Sequence, residues 1–86
     1  MFPSENFVQE IKEKYPVGTR IQLDFMDDPQ AISPGTKGTV RLVDDAAQIH
    51  VNWDNGRSLS VIPGEDSFHK IIERNRNDGA RRRYVE

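Results

Sequence analysis

The sequence predicts a mostly β fold: a small five-stranded antiparallel barrel with a short helix in front and a basic tail behind. Three observations carry that prediction. Apolar and polar residues alternate in the stretches 19–25, 38–43, 48–53 and 57–62, which is the pattern of half-buried strands. Turn-forming clusters at Asp44-Asp45-Ala46-Ala47, Asp54-Asn55-Gly56 and Pro63-Gly64-Glu65-Asp66 separate the later stretches. Helical spacing is confined to the N-terminal segment, where Phe7, Val8, Ile11 and Tyr15 form one stripe.

Length and composition bound what such a chain can be. Eighty-six residues make one domain, and a chain of this size buries only about 60% of its unfolded surface. With no cysteine, neither disulfides nor thiolate metal sites can staple it. The start, MFPSENFVQEIKEK, has an early carboxylate and no apolar run, unlike a secretory signal. No stretch approaches the ~20 apolar residues of a membrane span, so a cytoplasmic monomer is expected. The net charge of −2 divides unevenly. Residues 1–73 hold 7 Lys/Arg and 12 Asp/Glu, whereas residues 74–86 hold 5 Arg against Asp78 and Glu86. An acidic body argues against a general nucleic-acid surface, and the basic tail leaves a local one open.

Residues 1–16 are read as the helical segment. Ser4 supplies an N-cap, Glu5 a carboxylate in the first turn, and Lys12 and Lys14 suit the C-terminal end of the dipole. Pro16 disfavours helix at Tyr15 and sets the stop. This helix is expected to lie across the open end of the barrel. Val17-Gly18 then turns the chain into a first strand whose Ile21, Leu23 and Phe25 alternate with polar residues. The segment from Met26 to Lys37, with Pro29, Pro34 and Gly35, is the least regular, and connections of about 12 residues are often functional.

From Gly38 the register can be argued. A four-residue loop at 44–47 places Leu42 opposite Ile49, Val40 opposite Val51 and Gly38 opposite Trp53. At the next turn Asn55-Gly56 suggests a two-residue loop, but that register pairs polar with apolar side chains on both faces. A three-residue loop, Asp54-Asn55-Gly56, pairs Val51 with Leu59 and Ile49 with Val61. Because a one-residue slip flips every side chain, the apolar pattern selects this second register, with Gly56 left-handed in a G1 bulge. A last short strand follows within Ser67–Ile72. Five strands, one long early loop and a turn before the final strand suggest a barrel of the SH3-like kind over residues 17–73. Its expected core is Ile21, Leu23, Val40, Leu42, Ile49, Val51, Leu59, Val61 and Phe68, with Ile11 beneath. Residues 74–86 lack apolar period and are expected to be a disordered Arg-rich tail.

Several separate motifs occur in order: YPVGTRIQLDFMDDPQ at 15–30, PGTKGTV at 34–40, VDDAAQIHVNWDNG at 43–56 and LSVIPGEDSF at 59–68. Together they resemble a family of bacterial and phage domains of unknown function, numbered 4314, over about three-quarters of the chain. The resemblance implies that MDDP, PGTKG, VNWDNG and PGED are recurrent features and that no cofactor is expected. It implies an origin in bacteria, phages or other mobile elements. It carries no activity.

Asp24, Asp27 and Asp28 crowd the start of the long loop beside Phe25, Met26 and Pro29. One reading is an acidic, partly apolar rim that receives a basic peptide, as the long acidic loop does in peptide-binding SH3 domains. The other is that these carboxylates cap turns and solvate a loop. As metal ligands they lack the D-x-D-x-D-G pattern of a hard-cation loop. Trp53 continues the inward face of its strand opposite Gly38, either as a core residue or as a platform at the barrel mouth. Arg57, opposite it, could stack on the indole.

Catalytic constellations do not appear. His50 lies on the outward face and is read as solvated, and neither it nor His69 has a neighbouring nucleophile motif. Ser58 and Ser60 have no G-x-S-x-G elbow around them, and PGTKG is not a G-x-x-x-x-G-K-[ST] phosphate loop. The sequence therefore points to a non-enzymatic interaction module binding a protein partner through the 24–36 loop and barrel mouth, with Asp24, Phe25, Met26, Asp27, Asp28, Pro29, Trp53 and Arg57 as contacts. The alternative is an accessory nucleic-acid binder whose Arg74, Arg76, Arg81, Arg82 and Arg83 neutralise phosphates in weak, salt-sensitive binding.

Overall fold

The computed structural model describes residues 4–72. The N-terminal stripe forms helix α1, Glu5–Lys14. Ser4 caps it as expected, its Oγ accepting the Phe7 N–H at 3.1 Å. The Tyr15 N–H closes the last turn on the Ile11 carbonyl at 2.9 Å, and the chain leaves through Pro16. Val8, Ile11 and Tyr15 are buried, while Phe7 stays at the rim. The helix packs against β2, and the Tyr15 ring meets Phe68 with centroids 5.6 Å apart.

Four strands follow: β1 (Arg20–Phe25), β2 (Lys37–Val43), β3 (Ile49–Trp53) and β4 (Ser67–Lys70). They form one antiparallel sheet in the order β3-β2-β1-β4. This corrects the expected architecture. The sheet is open, with β3 and β4 at its two ends, and it is not a closed five-stranded barrel of the SH3-like kind. The missing strand is the segment 57–62, which meets β3 only through isolated bridges, Asn52↔Ser58 and Ile49↔Val61.

The reason lies at Ile62. Its N–H donates to the Asp66 carboxylate at 2.8 Å, and its carbonyl accepts the N–H groups of Glu65 and Asp66. Both backbone groups are committed to the Pro63–Asp66 turn, so the ladder stops before it can join β4. The three-residue turn itself forms as the apolar pattern requires. The Trp53 N–H reaches the Arg57 carbonyl at 2.8 Å, Gly56 has φ 93°, and Leu59 N–H reaches the Val51 carbonyl at 3.2 Å.

The β2–β3 register is partly as expected. Gly38 faces Trp53 and Val40 faces Val51, but Leu42 faces His50 and Val43 faces Ile49. A bulge at Arg41 accounts for the slip. The turn also differs: the Asp44 N–H bonds the Gln48 carbonyl at 3.0 Å, and Ala47 takes a left-handed φ of 61°. The Asp44 carboxylate drives this geometry by accepting the N–H groups of Ala46 and Gln48, each at 2.9 Å.

The core contains Ile21, Leu23, Val40, Ile49, Val51 and Val61, with Ile11 beneath. Leu59 and Phe68 are only partly buried, and the bulge leaves Leu42 exposed. Ile32, Met26, Ala47 and Trp53 also belong to the core. At about 25 cal/mol per Å² of apolar surface, each large side chain buried there contributes roughly 1.5–3 kcal/mol.

Candidate functional site

The long loop begins where β1 loses its alternation. The β1–β4 register shifts between Leu23 and Phe25, and the irregularity leaves both Asp24 and Phe25 exposed. Phe25 presents 58% of its surface, the largest aromatic exposure among the described residues. Asp24 Oδ2 lies 2.9 Å from His69 Nδ1. Met26 turns back into the core, and Asp27, Asp28, Pro29 and Gln30 then stand in solvent.

The loop is held at four points. Asp28 Oδ1 accepts the Gln30 N–H at 2.6 Å, and its carbonyl accepts the Ala31 N–H at 2.9 Å, making an Asx-type turn. Ile32 is 1% exposed and plugs the loop into the core. The Gly35 N–H bonds the Leu23 carbonyl at 2.7 Å, and the Leu23 N–H bonds the Thr36 carbonyl at 2.9 Å. Finally, Arg57 donates through Nη2 to the Gln30 carbonyl at 2.7 Å and through Nη1 to the Ala31 carbonyl at 3.3 Å. Arg57, itself exposed, thus braces the loop.

Trp53 takes the core reading. It is buried, and its Nε1–H donates to the Leu59 carbonyl at 2.9 Å. The close approach depends on Gly38, where a Cβ would sit 2.7 Å from the indole Cε3. The indole is buried, so the residues of the loop region left exposed are Phe25, Asp27, Asp28 and Pro29, with Met26 in the core.

The pairings of Asp44 with His50 and of Arg20 with Asp54 were not legible in the sequence. His50 is not a free solvated side chain: its Nε2 lies 2.8 Å from Asp44 Oδ2. That hydrogen bond, with backbone N–H groups of Gln48 and Ala46, holds the Asp44 carboxyl below its usual value against the opposing effect of burial. Arg20 binds Asp54 in a fork at 2.8 and 2.6 Å, which lowers the Asp54 carboxyl in the same way. Only the i, i+6 spacing of Asp44 and His50 across a turn could have signalled the first pair.

No group of three or more His, Cys, Asp or Glu side chains among the described residues could hold a metal ion. No helix among them is long and apolar enough to cross a membrane. Arg74, Arg76, Arg81, Arg82 and Arg83 lie outside the described residues.

Against known proteins, the match is to DUF4314, described as a domain of unknown function, over residues 4–71. The chain belongs to this family. The resemblance read from the motifs is therefore confirmed, and the matched span takes in helix α1 as well as the whole sheet. No curated protein matches the chain. Within this DUF4314 domain, the Asp-Asp-Pro of the MDDP motif forms the exposed ridge of the loop, PGTKG the return into β2 and the Gly38 contact, VNWDNG the Trp53 turn, and PGED the turn that ends the ladder.

Proposed function

We propose that this protein is a non-enzymatic interaction module whose 24–36 loop binds a partner segment carrying basic and apolar residues. One observation carries the reading: an exposed Phe25 stands beside the carboxylates of Asp27 and Asp28 on a loop anchored by Ile32 and braced by Arg57. A surface already ordered loses little conformational freedom on binding. The aromatic ring offers area to bury, and the carboxylates favour Lys or Arg on the partner and steer its approach. Asp24 is engaged by His69, whereas Asp27 and Asp28 have no ion-pair partner among the described residues.

The test is selection from a displayed random peptide library, run in parallel on the native chain and on an Asp27→Lys, Asp28→Lys variant. The native chain should enrich peptides that combine Lys or Arg with an aromatic or aliphatic residue. The variant should lose that enrichment, and Phe25→Ser should lose affinity for the selected peptides. Identical enrichment by all three proteins would end this reading.

A further inference from the structure

The bulge in β2 turns out a side chain that the rest of the fold does not use. Three arginines occur among the described residues. Arg20 is bound to Asp54 and Thr39, and Arg57 to the carbonyls of Gln30 and Ala31. Arg41, the residue left over by the bulge, makes no hydrogen bond or ion pair with any described residue. Bulges beside functional sites commonly serve to re-aim a side chain.

Arg41 lines a shallow cavity of about 200 Å³ together with His50, Ser58 and Ser60, over Val51 and Leu59. Its polar side chains come from three adjacent segments: β2, β3 and the stretch that follows the Trp53 turn. They share the face of the sheet opposite the core, because Val40, Val51 and Val61 between them point inward. No carboxylate lines the cavity, although carboxylates outnumber cations in residues 1–73. His50 Nε2 lies against Asp44, and its Nδ1 has no partner among the described residues. The Ser60 hydroxyl is likewise without one among the described residues. The Ser58 hydroxyl donates to Asn52 Oδ1 at 3.0 Å and can rotate to another acceptor.

We propose that this cavity binds a single tetrahedral oxyanion, the terminal phosphate of a small phosphorylated molecule. Arg41 supplies a planar fork matched to two phosphate oxygens, and the Ser60 and Ser58 hydroxyls supply donors for the others. One arginine on an acidic body suits a single phosphate group better than a polyanion, whose binding needs several cations in a row. The site is independent of the loop surface argued above, and its occupancy is read separately.

The experiment is amide NMR of the full chain titrated with inorganic phosphate, against sodium chloride at matched ionic strength and pH. Saturable shifts are expected at residues 41, 50 and 58–60. Arg41→Met should weaken binding by about tenfold or more, the usual loss for a charge-assisted hydrogen bond. Arg41 is exposed, so the variant's spectrum should otherwise keep its dispersion; Ser60→Ala, weakening binding about twofold or more, provides a second reading. Equal shifts in chloride, or unchanged affinity in both variants, would overturn the proposal. Tighter binding of a short oligonucleotide at the same amides would overturn it too, by assigning the site to a nucleic-acid backbone.

Discussion

A methyl group at position 38 would lie 2.6 Å from Val51 Cγ1, 2.7 Å from the Trp53 ring and 3.1 Å from the Asn52 carbonyl oxygen. Gly38→Ala should therefore destabilise the fold by about 1–3 kcal/mol, as overpacked cores do, measured by urea unfolding. Charge sets a second residue-level expectation. The Arg20 guanidinium holds the Asp54 carboxyl below its usual value. A depressed folded-state pKa adds stability above the unfolded value of about 4 and loses it as pH falls through the folded one. Asp54→Asn should lower stability at neutral pH and flatten its fall in acid, in urea series between about pH 2 and 7. An unchanged slope would mean that the half-exposed pair contributes nothing. The Gly38–Trp53 contact was legible because both residues lie in one alternating register. The Arg20–Asp54 fork was not, because it joins residues 34 apart whose strands meet only through β2.

Helix α1 and the 26–36 loop show why some elements read more easily than others. The helix carried its own signals: a capping serine, a stripe of apolar residues and a following proline. Ser4→Ala should cost about 1 kcal/mol, the usual loss of an N-cap, seen as a lower midpoint in thermal unfolding. The loop carried almost none, since its most deeply buried anchor, Ile32, stands among polar and turn-forming residues with no period. Ile32→Ala should cost about 2–5 kcal/mol, more than any single exposed residue of the loop. Arg57→Gln should change global stability by less than about 1 kcal/mol while speeding hydrogen exchange at residues 30 and 31. Exchange as slow as in the native chain would show that the Asp28 turn, Ile32 and the Leu23 hydrogen bonds hold the loop without Arg57. The segment 57–62 is the opposite lesson, because its alternation is real and buries Val61, yet the Asp66 carboxylate takes the Ile62 N–H and prevents a regular strand.

At the scale of the whole molecule, helix, loop and sheet all contribute to one contiguous core. Unfolding is expected to be a single cooperative transition. Trp53, the only tryptophan, reports on that core, and its fluorescence should change in step with far-ultraviolet circular dichroism. The strand order was harder to read than the strands, because alternation says which face a residue occupies and not whether the ends of a sheet meet. An unclosed sheet also has a consequence for behaviour at high concentration. β4 pairs with β1 along one side only, and a bare strand edge is a template on which other chains can add. Here that edge is four residues long, ends in Lys70 and lies beside the irregularity at Asp24. Brevity, a terminal cation and a broken ladder are each obstacles to end-to-end stacking of molecules, so the protein can leave its sheet open without becoming a seed for fibres.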